Sequence, residues 1–559
     1  MFRLKNAQRS LFEHQVYLPR EKVQALKRTW AEPFRNEVLP LIDETLFAQF
    51  YHPDNGRPNV PVATLVCLCI LKEWHNLTDA EMLGAVQWDI RWQYALDVDL
   101  YQADICQKTL HNFRTLICSN KKASEIFADM TGKIIERASV SVAQQRLDST
   151  HIISNMAYLS RLGLFVRTIS GFVSRLAKAH PKIYAALPKI YEKVYIERQG
   201  YFADVKSSRA RRRLSKCAGH LFDLVDRFRA HEKVSRMHSY KLCVRLLEEQ
   251  CEVLQADTAR VSLKSPMQIC SQSLQNPSDP DATYGRKGKG YKAFVTETCS
   301  EHNSFQAITD VAVHGAHESD TRQTIAVIER LEQSGHKPEE LFADAGFTSG
   351  ENLVQSRQRN VELTAPMTSG SAPTQDKIHA GDFAYCPDQQ TIVSCLLEHT
   401  PQSSRITEDG RSVEAIFPAS ACSMCPLLEL CPAKRIKAGC YRVCFSRESI
   451  AVAHRRAQQE QDDFKERYKI RSGIEATISE ADRVTGLKRA WTRGKDRLEM
   501  VVFMKALAIN VKRYVQSCLD KARKGLDPPL NPLLALFSAI KGHLNGRKSL
   551  KLVLMFAPA

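Results

Sequence analysis

The sequence lacks an apolar run long enough to span a lipid bilayer, which takes about 20 residues. The nearest candidate, residues 60–71, is clearly too short. Residues 1–6 also lack the apolar core of a secretion signal. We therefore expect a cytoplasmic protein that has no membrane partner.

The sequence also gives no sign of a disulfide framework. Its 17 cysteines are an odd number, and most stand singly in apolar segments, as Cys67, Cys118 and Cys243 do. Disulfide-rich domains are instead small and secreted, with cysteines at paired spacings. The pattern favours reduced thiols and leaves room for one metal site.

Acidic residues are scarce relative to basic ones: 62 stand against 79, a formal net charge of +17. Such a surplus favours a polyanionic partner, because neutralising phosphates releases condensed counterions. With 43% hydrophobic and 25% charged residues, the composition is that of a globular protein. A length of 559 residues exceeds one ordinary core and predicts two or three domains.

Residues 1–139 are predicted to form an all-helical domain. Residues 62–72 suit an apolar helix, and residues 78–81 have the pattern of a helix N-terminal cap. Residues 108–114 place cationic and polar groups beside apolar ones. A helix of this kind either enters a DNA groove or presents a solvated basic face, and the sequence leaves both readings open.

Residues 140–515 are predicted to form a mixed α/β domain with two insertions. The order of elements is that of an RNase H-like sheet. The expected elements are a strand over 140–151, a hairpin over 291–298 and 304–313, a helix over 320–332, a strand over 340–344, a helix that begins with a capping box over 348–351, a strand over 361–365 and a helix carrying Glu475. A basic tail over residues 516–559 either contacts DNA backbone or is solvated.

The first insertion, residues 155–278, is predicted to be helical and strongly basic. Its densest cluster includes Arg211, Arg212 and Arg213. These arginines are candidates for phosphate contacts, although exposed charge runs are often only solvated.

The second insertion, residues 366–450, is rich in cysteine. Cys422 and Cys425 have the spacing of a tetrahedral zinc site, and Cys386 and Cys431 would complete four thiolates. Alternative ligands are Cys440 and Cys444. We expect a structural Zn²⁺ here and no catalytic one, because no histidine accompanies the cluster.

Three acidic residues stand in contexts that suit a split metal site. Asp148 and Asp344 follow short apolar runs and precede turns, which predicts positions at or near strand ends. Tyr468, Arg471 and Glu475 are spaced i, i+3, i+7, which predicts one helix face. Three such carboxylates can hold two hard divalent cations about 3.5–4 Å apart, the arrangement that supports phosphoryl transfer. The plainer alternatives are a turn residue for Asp344 and a helix ion pair for Glu475.

With these residues, the chain resembles the DDE transposases of bacterial insertion sequences over residues 10–515, and within them the insertion sequence 1182 group (IS4-like). The resemblance is carried by the Asp-x-Thr context of Asp148, the Ala-Asp-Ala-Gly-Phe context of Asp344 and the Tyr-x2-Arg-x3-Glu signature. It also includes the cysteine insertion and two further motifs, Gly56-Arg57-Pro58 and Asp279-Pro280-Asp281-Ala282.

This resemblance implies an enzyme that cleaves DNA and transfers strands by a two-metal mechanism. Asp148, Asp344 and Glu475 would be its catalytic residues and would bind two Mg²⁺ ions, for which Mn²⁺ can substitute. The implied partners are double-stranded DNA, as terminal inverted repeats and as target, and a second copy of the chain in a homodimer on DNA. Such a protein is nucleoid-associated when bound to DNA.

The resemblance also implies DNA contacts near the third acid. Tyr468 and Arg471 would contact phosphate or brace Glu475. The family signature ends in a lysine, and Asp482 occupies that position here. The neighbouring cations that could supply the missing charge are Arg483, Lys488 and Arg489. Two other functions stay open: a catalytically silent DNA-binding protein derived from a transposase, and an RNase H-like nuclease without strand transfer.

Overall fold

A computed structural model gives the fold of residues 1–5, 18–99, 104–197, 207–254, 260–368 and 377–526. Helices predominate, and a mixed sheet lies at the centre, so the mixed α/β class is as predicted. No helix within these ranges combines the length and the apolarity needed to cross a membrane.

The N-terminal region is helical, as predicted. Thr78 begins a helix with a full capping box: its side chain accepts from the Glu81 N–H, and the Glu81 carboxylate accepts from the Thr78 N–H. The α-helices are α1 (Arg20–Lys27), α2 (Ala31–Pro33), α3 (Val62–Trp74), α4 (Asp79–Trp88), α5 (Ile90–Leu96), α6 (Gln107–Ser119) and α7 (Lys122–Ala138), with a π-helix (Phe34–Val38) and 3-10 helices (Leu39–Leu41, Glu44–Phe50) between α2 and α3.

Strands follow from residue 144 onward. In chain order they are β1 (Gln144–Ile153), β2 (Cys251–Leu254), β3 (Arg260–Leu263), β4 (Thr283–Gly285), β5 (Gly288–Thr298), β6 (Ile308–Gly315), β7 (Glu340–Ala343), β8 (Glu362–Thr364), β9 (Ala384–Tyr385), β10 (Ile392–Ser394), β11 (Ser403–Ile406), β12 (Ser412–Phe417), β13 (Lys434–Arg435) and β14 (Tyr441–Ser446).

The remaining helices surround these strands. They are α8 (Arg161–Ala179), α9 (Pro181–Ala185), α10 (Lys189–Tyr195), α11 (Ser207–Phe228), α12 (Glu232–Ser235), α13 (His238–Gln250), α14 (Asp320–Gln333), α15 (Gly350–Gln358), α16 (Ala419–Cys422), α17 (Arg447–Gln459), α18 (Asp462–Tyr468), α19 (Gly473–Thr485) and α20 (Lys495–Leu526), with 3-10 helices at Pro266–Gln268, Ala345–Phe347, Ala380–Asp382 and Lys469–Ser472.

The central sheet is antiparallel on one side and parallel on the other. Strand β5 pairs antiparallel with β1 on one edge and with β4 and β6 on the other, which confirms the predicted hairpin. Strand β1 pairs parallel with β7, and β7 with β8. The long antiparallel strands β5 and β6 are buried along most of their length, polar side chains included, because both faces of the sheet are covered.

Several local boundaries differ from prediction, and for two of them the structure gives a clear reason. Strand β1 both begins and ends later along the chain than the predicted 140–151, because residues 140–143 lie before the ladder to β5. The helix after β7 is capped by Ser349, whose hydroxyl accepts from the Asn352 N–H, so the capping box expected from Thr348 is wrong.

The two insertions have cores of their own. The first packs α8, α10, α11 and α13 around Phe165, Phe172 and Leu221, and it ends in the β2–β3 hairpin. Its prediction as wholly helical was therefore wrong at that end. The second forms a small sheet in the order β11-β12-β14-β13 over Val413, Phe417 and Val443.

Helix α20 lies between the N-terminal helices and the central sheet. A single apolar core runs from Leu65 of α3 through Leu507 of α20 to Val311 of β6. The predicted tail starts at residue 516, but α20 continues to Leu526, and the later part of that tail lies outside the described residues.

Candidate active site

The sheet brings Asp148 and Asp344 to neighbouring positions. The parallel ladder between β1 and β7 ends with Leu147 opposite Ala343, so each aspartate is the next residue along its chain. Asp344 lies just past the end of β7, as predicted. Asp148 lies in the middle of β1, which corrects its expected place at a strand end, because β1 continues along β5 after its pairing with β7 stops.

Arg471 joins all three acids. Its Nη2 donates to Asp148 Oδ2 at 2.8 Å and lies 3.9 Å from Asp344 Oδ2, while its Nη1 donates to Glu475 Oε1 at 3.0 Å. Asp148 is mostly covered, with 14% of its side chain exposed, whereas Glu475 is 67% exposed. The structure therefore places the three acids around one guanidinium.

The backbone between Tyr468 and Glu475 is not one continuous helix. Tyr468 ends α18, Arg471 lies in the 3-10 helix Lys469–Ser472, and Glu475 lies in the first turn of α19. The predicted single helix face is corrected accordingly, although the side chains still meet. Tyr468 stacks on Phe464 with 5.9 Å between the ring centroids, and this contact orients it at the site.

Among the described residues, no three His, Cys, Asp or Glu side chains stand as a ready metal-binding cluster. Asp148, Asp344 and Glu475 do not form such a cluster because the Arg471 guanidinium lies between Glu475 and the two aspartates. The donor set is nonetheless all carboxylate oxygen around a positive charge, which is the chemistry that hard divalent cations require. In donor chemistry, though not in their present arrangement around Arg471, the three acids therefore suit such a cation.

Burial dominates the electrostatics of Asp148. Desolvation raises the pKa of Asp148 above its ordinary 3.8, and Arg471 opposes that shift. Asp344 and Asp320 raise the pKa further by like-charge repulsion. Asp320, to which the sequence analysis gave no role, forms an ion pair with Lys292 at 3.1 Å. The feature of the sequence that could have drawn attention to Asp320 was its position as the first residue of α14.

A fully buried carboxylate, Glu297 of β5, fixes α19 against the sheet. It accepts from Arg146 Nε at 2.8 Å, from the Thr477 hydroxyl at 2.6 Å and from Arg513 Nη1 at 3.1 Å, and its side chain is 0% exposed. These donors come from β1, α19 and α20. Sequence reasoning missed this network because nothing in the pattern distinguishes Glu297 from an exposed glutamate.

Arg146 extends this network to the segment that carries Arg471 and Glu475. Its Nη1 donates to the Ile470 carbonyl at 2.8 Å, beside Arg471. A Cβ on Gly473 would lie 1.8 Å from the same Nη1, so only glycine leaves space for the guanidinium at this position. The close approach of Arg146 and Gly473 thus sets where α19 begins.

The predicted DNA-contacting cations lie on the surface at different places. Arg211 and Arg212 are exposed on α11 and Arg213 is half-buried. Arg483 and Arg489 are exposed and Lys488 is partly exposed. Asp482 accepts from the Lys488 N–H at 3.0 Å and lies 3.9 Å from its Nζ. The aspartate at the family's lysine position therefore holds a lysine from the following loop.

The cysteine insertion does not gather the predicted zinc ligands. Cys422, Cys425 and Cys431 lie near one another and near Cys395, and burial raises the pKa of Cys422 to about 11. Cys386 is apart: its thiol donates a hydrogen bond to Asp388 Oδ1, and its Sγ accepts one from the Thr391 N–H at 3.1 Å. Because the described part of the chain holds no cluster able to bind a metal, the zinc prediction is not supported.

Two family models match the chain. Residues 24–116 match the model described as Transposase domain (DUF772), and residues 385–515 match the model described as Transposase DDE domain. The second match includes Glu475 and starts after Asp148 and Asp344. The comparisons with curated proteins and with solved structures gave no match. Neither model distinguishes the insertion sequence 1182 group, which stays a prediction. The chain thus carries a transposase domain and a transposase DDE domain, which together support a DDE transposase.

Proposed function

We propose that this protein is the transposase of an insertion sequence, which binds the terminal inverted repeats of its element and catalyses DNA cleavage and strand transfer. The observation that carries the proposal is the meeting of Asp148, Asp344 and Glu475 around Arg471. These residues come from one strand, the end of a second strand and one helix, each more than 100 positions from the next, and a purely structural role does not require their convergence.

The strand order supports an RNase H-like catalytic domain. Three antiparallel strands, β6, β5 and β1, are followed by the parallel strands β7 and β8, with α14 crossing between β6 and β7. The two insertions leave this order unbroken, since the first lies between β1 and β4 and the second follows β8. In this proposal, residues 1–139 form the DNA-binding domain and residues 140–515 the catalytic domain.

Asp148, Asp344 and Glu475 would hold two Mg²⁺ ions through carboxylate oxygens. When bound, such ions supply the positive charge that activates an attacking hydroxyl and stabilises the departing oxygen of a phosphodiester. Arg471 would then exchange its carboxylate partners for a DNA phosphate, which a planar guanidinium can contact through two N–H groups. Tyr468, held on Phe464, would border the same phosphate.

DNA is the partner that the charge of the chain favours. A formal net charge of +17 attracts a polyanion, and the exposed arginines of α11 and the cations after α19 provide candidate phosphate contacts. Synapsis of two element ends makes a homodimer on DNA the expected assembly.

A cleavage and strand-transfer assay on duplexes bearing the element's inverted repeats tests the proposal. We expect nicking at the repeat end and joining to a target duplex, both dependent on Mg²⁺ or Mn²⁺ and abolished by a chelator. Binding without cutting would instead support a silent DNA-binding derivative. Cutting without joining would support an RNase H-like nuclease.

A further inference from the structure

An exposed tryptophan, Trp491, stands on the loop between α19 and α20. Its side chain is 73% exposed, whereas Trp30, Trp74 and Trp92 pack together in the N-terminal domain. Because single exposed hydrophobic residues are common on protein surfaces, exposure alone does not mark a site. Trp491 differs in lying on a loop that is hydrogen-bonded to β1, the strand that carries Asp148.

The loop that carries Trp491 is held firmly. Ile153, the last residue of β1, donates to the Lys488 carbonyl at 2.9 Å and accepts from the Ala490 N–H at 3.0 Å. Asn155 Nδ2 donates to the Trp491 carbonyl at 3.2 Å. The exposed ring therefore projects from a fixed backbone, and little conformational entropy would be lost when a ligand stacks on it.

A buried aspartate closes the loop at its other end. Asp279, which is 0% exposed, accepts from the Tyr291 hydroxyl at 2.6 Å and from the Gly494 N–H at 3.0 Å. Asp281 accepts from the Lys495 N–H at 3.0 Å, at the start of α20. The Asp-Pro-Asp motif thus anchors the Trp491 loop.

Cations surround this loop. Lys488, Arg489 and Arg493 are partly or fully exposed within it, and the Arg493 Nε donates to the Asn155 carbonyl at 2.5 Å. On the opposite side of β1, Gly290 pairs with Ile153, so the turn bearing Arg286 and Lys287 borders the same strand end. The exposed Trp491 ring therefore lies among several positive charges.

The position of this surface relates it to the three acids. From Asp148 to Ile153, β1 runs five residues, or about 16 Å at roughly 3.3 Å per residue. Five base steps of duplex DNA, at about 3.4 Å each, cover a similar length. A DNA strand whose phosphate lies at the acids can therefore reach Trp491 within a few nucleotides.

From these observations, and on the basis of the proposed function, we infer that Trp491 is a stacking site for an unpaired nucleobase of the DNA strand that enters the active site. Exposed aromatic rings in positively charged grooves bind single-stranded DNA in this way, because every base offers a π-face. Arg489 and Arg493 would hold the flanking phosphates.

Binding of the full-length chain to overhang duplexes in a chelator, which prevents cutting, tests this site. One duplex has a five-thymidine overhang, a second has an abasic overhang of equal length and charge, and a third is blunt. We expect the thymidine overhang to bind roughly 5- to 150-fold more tightly than the abasic one, the range that one stacked base provides. Trp491→Ala and Trp491→Leu should remove this preference, and Trp491→Tyr should keep most of it.

Equal affinity for thymidine and abasic overhangs, or a preference that survives in Trp491→Ala, would overturn the inference. A preference retained in Trp491→Leu would also overturn it, since leucine has no π-face. The blunt duplex reports separately on the proposed function: if it binds while the overhangs do not differ, only the stacking site fails. All three duplexes carry the element's inverted repeat, so if none of them binds, the proposed function fails as well.

Intrinsic fluorescence provides a second measurement. The chain has five tryptophans, and Trp88, on α4, is also exposed at 85%. A stacked base should quench Trp491, so the quenching caused by the thymidine overhang should persist in Trp88→Phe and vanish in Trp491→Phe. Quenching that persists in Trp491→Phe contradicts stacking at this position.

Discussion

Leu147 of β1 and Ala343 of β7 are the last partners of the parallel ladder between these strands. Because the next residue on each chain is an aspartate, the end of this ladder places Asp148 and Asp344 side by side. Both carboxylates are braced locally: Asp148 Oδ1 accepts from the Ser149 N–H at 2.6 Å and Asp344 Oδ1 from the Gly346 N–H at 2.8 Å. The position where pairing ends therefore determines where the site forms.

Asp344→Asn should abolish DNA cleavage and leave DNA-end binding largely intact. The amide keeps the shape of the side chain but removes the negative charge that a divalent cation needs. We expect the single-turnover cleavage rate to fall by more than about 100-fold. Loss of one group that stabilises a transition state typically lowers a rate by about this factor or more.

Asp43→Asn is a matched control for that variant. Asp43 also begins a 3-10 helix and accepts the N–H of the residue two positions on, at 2.9 Å, but it lies in the N-terminal region far from Asp148 in the chain. Its variant should cleave like the wild type. Wild-type cleavage by Asp344→Asn would refute the assignment of the acids.

As the pH is lowered, the cleavage rate should begin to fall at a higher pH than an ordinary aspartate would cause. We call this falling part of the pH profile the acid limb. Asp148 must be ionised to hold a cation, and burial raises its pKa above 3.8. Asp320→Asn removes a negative charge that raises this pKa further, so the acid limb should shift to lower pH. Single-turnover rates between pH 4 and 8 measure the shift, with Asp43→Asn as the control, because Asp43 is not among the charges that act on the pKa of Asp148. An unchanged or upward-shifted limb in Asp320→Asn contradicts the prediction.

The same raised pKa has a defined consequence for folding. A carboxyl whose pKa is higher in the folded state contributes stability while it is protonated, below its ordinary pKa, and loses that contribution as the pH rises through the raised value. Asp148 thus acts against stability at neutral pH. Such a cost is typical of functional sites, where charge is held ready for a ligand.

Much of the catalytic region was predictable because its signals are local. The hairpin of β5 and β6, the helix α14 and the strand β7 follow from apolar periodicity and turn residues, and the structure confirms them. Long-range partners were not predictable. The role of Asp482 in holding Lys488 depends on how the chain turns at Gly486, whose φ of 64° lies in the left-handed region.

The zinc prediction shows the same limit. The spacing of Cys422 and Cys425 is local and suggested a ligand pair, but the expected fourth ligand depended on tertiary placement. In the structure Cys386 interacts with its own turn, through Asp388 and Thr391, and Cys395 lies nearer to the other thiols. Spacing alone could not distinguish these cysteines.

Glu297→Gln should strongly destabilise the protein. Loss of the buried charge leaves Arg146 without its counterion and Arg513 with Glu480 alone, and removing one partner of a buried ion pair typically costs about 3–5 kcal/mol. Denaturant unfolding followed by circular dichroism measures the change in the free energy of unfolding. Glu232→Gln is the control, because its pair with Arg236 is exposed and worth less than about 1 kcal/mol. Equal stabilities of the two variants would exclude a central role for Glu297.

Cys106 should react with iodoacetamide faster than Cys422. Cys106 is exposed at the start of α6, and a hydrogen bond with the Thr109 hydroxyl lowers the pKa of its thiol. Burial raises the pKa of Cys422 to about 11, so its thiolate fraction at neutral pH is small. Mass spectrometry of peptides after brief alkylation at pH 7 gives the order, and a faster Cys422 would show that its thiol is more ionised than this environment permits.

Gly473→Ala should impair cleavage far more than the small volume of the added methyl group suggests. The added methyl would lie 1.8 Å from Arg146 Nη1, so either the guanidinium or the start of α19 must move, and Arg471 and Glu475 would move with it. Gly171→Ala is the matched control: this glycine is also within a helix, α8, and a Cβ there would meet nothing within 4 Å. That variant should be as active as the wild type and up to about 1 kcal/mol more stable, because alanine favours the helix. Equal cleavage rates in the two variants would show that Arg146 does not position the catalytic segment.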